Sequence, residues 1–333
     1  MESEARHHHY ISQTYLRGFA QRRERKQKPA FFTQVTDFRQ LKTFEANVRN
    51  VGGERDFNRV EIPGYEPTVV ETALSAFEGS CTDAMKRVAA SRRFEGEDAN
   101  LTLNFMAVLA VRSPENRENV REFHERVHKG LLATITRDAE TWQATTAGMK
   151  ADGVPVNTAI SYEDARSFSQ RGEFDVAVPR EYHMRLEFDL ANKLLELLGR
   201  RVWTLYTVDG NDIEFITSDR PVTLAWVNPP TTPSFLNAPG FGLANTEVLF
   251  PLSRKAALIG RWDKGGGTQN AGRLFAAAFN TRMLQHSGER AFSASKRMLY
   301  LGRQSEIHED HLLIDNFMSW TGRWNPAEGA GTP

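Results

Sequence analysis

The chain has 333 residues, of which 40% are apolar and 25% charged, with 42 Lys and Arg against 42 Asp and Glu. A net charge of zero does not imply electrostatic attraction of the whole molecule to nucleic acid or to a membrane, and leaves that role to local patches. The single cysteine, Cys81, excludes an intramolecular disulfide and a cysteine-based zinc site, which suits a reducing compartment.

The opening Met1-Glu2-Ser3-Glu4 is acidic and has no apolar run, so no secretory signal is expected. The longest apolar run, Phe105 to Val111, is far short of a bilayer span. The expectation is a soluble, cytoplasmic protein with no membrane partner. Three imidazoles, His7, His8 and His9, then run into Tyr10, Thr14, Tyr15 and Phe19, whose spacing predicts a short helix over 8–20. Gln21 to Lys28 reads as a basic turn, with Arg22, Arg23, Arg25, Lys26 and Lys28 around Glu24. Such a run could touch phosphates, but in a neutral chain a solvated hairpin loop is favoured.

Phe31 to Val35 and Leu41 to Phe44 predict a strand pair. Asn50 to Gly53 predicts a turn, and Pro63-Gly64 a break. Val70, Leu74, Phe77, Cys81, Met85 and Val88 form one apolar stripe and predict a long helix. Leu101 to Val111 predicts a buried helix that Arg112 ends and Pro114 follows. Glu115 to Thr146 reads as a charged helical region, Ala151 to Asp175 as a loop-rich insertion, and Tyr182 to Leu198 as an amphipathic helix closed by Gly199.

Strand patterns follow at Val202 to Val208, Glu214 to Thr217, Val222 to Val227, Glu247 to Phe250 and Ala256 to Ile259. Asn228 to Gly242 is a Pro/Gly-rich loop long enough to be a lid, and Ala271 to Gln285 predicts a last helix. The fold class is therefore α+β, with a helix-rich N-terminal half packed on a mixed, mainly antiparallel sheet from the C-terminal half. If the early strands pair with the late ones, residues 1–320 make one interlocked domain with a variable insertion near 146–178. A frayed tail over 321–333 completes the chain.

The sharpest motif is His124-Glu125-Arg126-Val127-His128, a formal H-E-x-x-H that could hold zinc on one helix face. Arg121, Glu122, Arg126 and Lys129 crowd it and no clear third ligand follows, so a solvated charged helix is the competing reading. His308-Glu309-Asp310-His311 is a weaker pair, explained by a charged helix start. Glu71 and Glu78 lie two turns apart on the long helix beside Leu74, either rimming the core or facing a cleft. Phe215 to Pro221 is a strand running into Ser218-Asp219-Arg220-Pro221, either a site loop or a turn that Ser and Asp cap. Arg112, ending a buried helix, either pairs with an internal carboxylate or reaches toward an anion. Asn280 lies in an apolar helix and must be hydrogen-bonded if buried. Gly265-Gly266-Gly267 lacks the Gly-Lys-Ser/Thr ending of a phosphate loop, and no Gly-x-Ser-x-Gly elbow, kinase set or dinucleotide fingerprint is present.

Several of these blocks occur in the order of a prokaryotic family. His9-Tyr10 followed by Leu16 and Phe19, Asp56-Phe57, Glu71 to Glu78, Phe105 to Pro114, Trp203, Phe215 to Pro221, Phe250 to Ser253 and Asn280 resemble domain-of-unknown-function family 4238 over most of the chain. Asn58 departs from the pattern, where an aromatic is expected. The resemblance implies no settled activity. It implies shared polar positions at His9, Tyr10, Glu71, Glu78, Arg112, Ser218, Asp219 and Asn280, and it leaves the H-E-x-x-H outside them.

Three functions remain open. The first is a metal-dependent hydrolase, with a phosphodiester or nucleic acid as substrate. His9, Tyr10 and Asp219 would be catalytic, Arg112, Ser218 and Asn280 would bind substrate, and Glu71, Glu78 and Asp219 would hold Mg²⁺ or Mn²⁺. The second is a non-catalytic ligand-binding or sensing module in which the same residues form a structural network. The third is a zinc peptidase built on His124 and His128.

Overall fold

A computed structural model describes residues 7–25, 28–60, 64–228, 238–302 and 304–309. The chain is α+β, with helices concentrated before residue 200 and mainly antiparallel strands after it. The described residues separate into two compact units, Met1–Ser113 with Leu186–Pro333, and Pro114–Arg185. No helix among them is long and apolar enough to cross a membrane. Within 228–242, residues 229–237 lie outside the described residues, as does the whole of 321–333.

The first unit opens differently from the expected helix over 8–20. His7–His9 is a strand, β1, that pairs antiparallel with β5 (Gly53–Arg55), His9 opposite Gly53. Helix α1 (Gln13–Leu16) and a 3-10 turn (Arg17–Phe19) occupy only the second half of that segment. Backbone pairing with a distant edge overrides the local period here. The path also requires Gly52. It sits at φ +69°, and a Cβ there would meet Ile11 Cβ at 3.2 Å and Leu16 Cδ1 at 3.3 Å.

The basic segment begins as a strand rather than a turn. Strand β2 (Gln21–Arg23) pairs with β3 (Ala30–Asp37), and β3 pairs on its other side with β4 (Lys42–Asn47), as the sequence predicts. Arg23 holds β2 in place by a two-point ion pair with Glu45 at 2.8 and 2.6 Å while its guanidinium covers Phe32. Helices α2 (Val69–Ser91) and α3 (Gly96–Val111) follow, with Leu74, Cys81, Met85 and Val88 of the expected α2 stripe buried and with Phe105, Met106 and Leu109 of α3 buried.

Strands β6 (Val202–Thr207), β8 (Thr223–Trp226), β9 (Thr246–Ser253), β10 (Ala256–Arg261) and β11 (Thr268–Asn270) form a sheet in the order β11-β6-β10-β9-β8. Only β11–β6 is parallel in it. Alternation along β9 sends Val248, Phe250 and Leu252 to a core shared with α1, α2 and α3, and Leu249 to a second core built around helix α8 (Arg273–Gln285). The expected strand at Glu214 to Thr217 shrinks to β7 (Thr217–Ser218). It pairs with β12 (Arg290–Ser293), which also pairs with β3, Arg290 opposite Asp37. An early strand and a late one thus share a sheet. A small ladder of β13 (Tyr300–Leu301) and β14 (Ile307–His308) ends the described chain, so His308 lies in a strand rather than at a helix start.

The second unit contains α4 (Pro114–Ile135), α5 (Ala139–Ala151), α6 (Tyr162–Arg171) and the first residues of α7 (Arg180–Gly199). Helix α6 lies inside the segment expected to be loop. Its signals are local: Ser161 accepts the Asp164 N–H at 3.1 Å, and Gly172 closes it at φ +63°.

Candidate functional site

The shared polar residues fall into one buried network and two backbone clamps. In β1, alternation sends the side chains of consecutive residues to opposite faces, yet both His8 and His9 are buried. His8 Nδ1 accepts the Asn58 N–H at 2.9 Å, so a neutral His8 ring carries its proton on Nε2. Asn58 Nδ2 in turn donates to Glu71 Oε2 at 2.6 Å. Glu71 is therefore reached through His8 and Asn58. On the other face, His9 Nδ1 lies 3.3 Å from Gln13 Nε2.

Arg112 leaves the end of α3 with φ −98° and ψ +86°, which turns its side chain away from the helical path. The residue is only 5% exposed. Its Nη2 donates to the His9 carbonyl at 2.7 Å and to Glu78 Oε1 at 2.9 Å. Burial pushes the Glu78 carboxyl up from its ordinary value, and the Arg112 charge and hydrogen bonds from Ser12 and Arg112 pull it back. Ser12 is also 2.7 Å from Thr14, Thr14 is 2.9 Å from Thr82, and Thr82 donates to the Glu78 carbonyl at 2.7 Å. This circuit ties the start of α1 to the middle of α2. It explains why Ser12, at the helix N-cap, makes no side-chain cap bond.

Tyr10 connects this network to the second region. Its N–H donates to the Gly52 carbonyl at 2.9 Å and its ring lies 5.9 Å from that of Phe57. Burial, and next the Asp219 charge, push the phenol up to about 12, against the pull of Arg290. Asp219 itself accepts three backbone N–H groups, from Gly288 at 2.7 Å, Glu289 at 2.5 Å and Arg290 at 3.0 Å. Gly288 is needed for this approach, because a Cβ there would lie 2.8 Å from Asp219 Oδ2. Arg290 Nε bonds Asp37 Oδ2 at 2.9 Å. Ser218 is buried in β7, and its Oγ accepts the Arg220 N–H at 3.1 Å. Ser218 thus makes the turn itself, while Asp219 clamps the loop that enters β12.

Asn280 is fully buried in α8. Its Oδ1 accepts the Ile216 N–H at 3.0 Å, and its Nδ2 donates to the Glu214 and Leu299 carbonyls at 2.9 and 3.0 Å. That amide spends its capacity on backbone. His9, Glu78 and Arg112 are therefore brought together, with Glu71 linked to the same strand. Tyr10 and Asp219 are electrostatic neighbours, Asp219 and Asn280 are the two backbone clamps, and Ser218 shapes the turn beside Asp219.

The cation site expected from Glu71, Glu78 and Asp219 is not assembled. Among the described residues no group of three or more His, Cys, Asp or Glu side chains is placed to hold a metal ion. The reason lies in the partners: Glu78 faces Arg112, Glu71 faces Asn58, and Asp219 faces amides. The H-E-x-x-H of α4 likewise finds no third ligand among the described residues. His124 Nε2 lies 3.1 Å from the Tyr182 hydroxyl, His128 Nδ1 lies 2.6 Å from the His124 carbonyl oxygen, and Glu125 is held by Arg121 at 2.5 Å and Lys129 at 2.6 Å.

Three contributors escape the sequence reading. His8 is hidden by its neighbours in a His run, Asn58 by its departure from the family pattern, and Tyr15 by its place in the segment read as a short helix. The Tyr15 hydroxyl donates to the Pro251 carbonyl at 2.8 Å and lies 2.8 Å from Thr217 Oγ1, beneath a ring stacked on Phe250. Thr82 had a signal, since residues four apart on a helix share a face with Glu78.

A family model described as "Protein of unknown function (DUF4238)" matches residues 7–297, and the chain belongs to that family. No curated protein and no solved structure matches.

Proposed function

For this member of the DUF4238 family, we propose a non-catalytic ligand-binding or sensing module in which the shared polar residues are a structural network. The observation that carries the reading is Asp219. The residue expected to serve both catalysis and metal binding directs its carboxylate at three backbone amides in a half-buried turn. A carboxylate so engaged orders the chain rather than meeting a substrate. Arg112 supports the same reading, because its Nη2 joins two elements through one carbonyl and one carboxylate. A hydrolase using Mg²⁺ or Mn²⁺ on nucleic acid would need Glu71, Glu78 and Asp219 in a common ligand set, and they are not in one. A cytoplasmic setting is the accompanying proposal, supported by a single cysteine that is buried and unpaired to sulfur.

Thermal unfolding of Asp219→Ala and His9→Ala tests the reading. Hydrogen bonds to a charged group contribute about 1.5–3 kcal/mol each, and water replaces part of that at a half-exposed turn. A loss of about 3 kcal/mol is expected for Asp219→Ala, or roughly 6 °C in Tm for a unit of this size. A melting temperature unchanged or raised, as for relief of strain at a catalytic site, sinks the proposal.

A further inference from the structure

The basic residues around the β2–β3 turn take no part in the polar network. Arg17 lies in the 3-10 turn after α1, Arg25 and Lys28 flank the turn, and Arg49 lies in a second 3-10 turn (Val48–Asn50) after β4. These four residues line one cavity of about 410 Å³, together with Phe31 and Asn47. No acidic side chain among the described residues lines it.

None of the four cations has a carboxylate partner among the described residues. Their neighbours do: Arg22, Arg23, Arg39 and Arg55 pair with Glu24, Glu45, Glu289 and Asp56. In a chain with equal numbers of acids and bases, four unpaired cations around one concavity make a strong local positive field. Two are held without being neutralised. The Arg17 guanidinium lies 5.1 Å from the Phe31 ring centroid, and that of Arg25 lies 5.4 Å from the ring centroid of Phe32, the next residue of β3, which is not part of the lining. Asn47 accepts the Arg49 N–H on Oδ1 at 3.0 Å, which leaves its amide nitrogen as a further donor.

We infer that this cavity binds a small ligand bearing contiguous phosphate groups, either inorganic polyphosphate or the phosphate chain of a nucleoside polyphosphate. Guanidinium groups bind phosphate oxygens in two-point geometry, and contiguous phosphates supply several negative charges within one small volume. The cavity is of small-molecule size, which favours such a ligand over a long strand. The inference supplies a ligand for the binding module proposed above. It does not depend on the His9–Arg112–Glu78 network, whose failure would appear in the melting experiments alone.

Titration calorimetry of the full chain with inorganic tripolyphosphate and with ATP tests it, at about 50 mM and about 300 mM salt. Both probes are expected to bind, more weakly at high salt. Equal affinities assign the contacts to phosphate alone, and tighter binding of ATP adds the nucleoside. Arg17→Ala with Arg49→Ala should weaken binding at least about tenfold, since each lost contact is a hydrogen bond to a charged group. Arg39→Ala, exposed but paired with Glu289 outside the cavity, should leave it unchanged. If the double variant fails to fold, Arg25→Ala with Lys28→Ala replaces it. The inference is overturned if neither probe binds, or if binding survives the cavity substitutions. A single-stranded oligonucleotide that binds more tightly than both probes and weakens in the same variants also overturns it, in favour of nucleic acid.

Discussion

Arg112→Ala should destabilise the first unit strongly, and more so at pH 8 than at pH 5. Arg112 and Glu78 are 2.9 Å apart with side chains 5% and 11% exposed, so truncating the arginine leaves a carboxylate in a poorly hydrated place. Removing one partner of a buried pair costs about 3–5 kcal/mol. At roughly 2 °C per kcal/mol, Tm should fall by roughly 6–10 °C. The pH dependence follows from Glu78. Burial already raises its carboxyl above 4.5 in the folded protein, against the pull of Arg112. A raised folded value means that its contribution is fullest below 4.5 and is lost as pH rises through the folded value. Without Arg112 that window extends upward, and each pH unit within it adds up to about 1.4 kcal/mol. Glu78→Gln in the Arg112→Ala background removes the stranded charge and should recover part of the loss. Denaturation of the wild type, Arg112→Ala and the double variant at both pH values measures all of this. Equal losses at pH 5 and pH 8, with no recovery from Glu78→Gln, would refute the assignment of Arg112 as the partner of a buried charge.

Two further outcomes are expected. The Tyr10 phenol is raised from 10 to about 12, so the folded state keeps its proton where the unfolded chain has lost it. The stability tied to that phenol is fully present below pH 10 and disappears as pH rises to about 12. Tyr10→Phe should flatten this fall in alkaline denaturation curves, and an unchanged alkaline slope would count against the buried phenol. Asn280→Ala deletes three hydrogen bonds to backbone in the second core and leaves two buried groups and one half-buried group unmatched. A loss of about 3–4 kcal/mol is expected by chemical denaturation, and a loss under 1 kcal/mol would mean that water or a shift of α8 satisfies those groups.

Much of the fold is legible in the sequence because it is written locally. The apolar stripe from Val70 to Val88 returns every three or four residues, and that period predicts α2. The alternation from Val202 onward predicts β6, β9 and β10, and the ordered family blocks identify the family. Even α6 had its capping residues in plain view at Ser161 and Gly172.

What the sequence by itself determined is therefore the α+β class, the main helices and central strands, and the set of polar residues worth following. Tertiary structure alone decided what each of those residues faces. His7–His9 became a strand because an edge at Gly53–Arg55 was there to pair with, although its own spacing suited a helix. Asp219 became a clamp because Gly288 to Arg290 return beside it, and Glu78 met Arg112 because α3 ends where α2 and β1 pass. The cationic cavity required Arg17, Arg25, Lys28 and Arg49 to meet around Phe31. Periodicity and caps act over a few residues and can be read in one dimension. A side chain's chemistry depends on partners far away in sequence, and these are chosen only when burial brings the elements together.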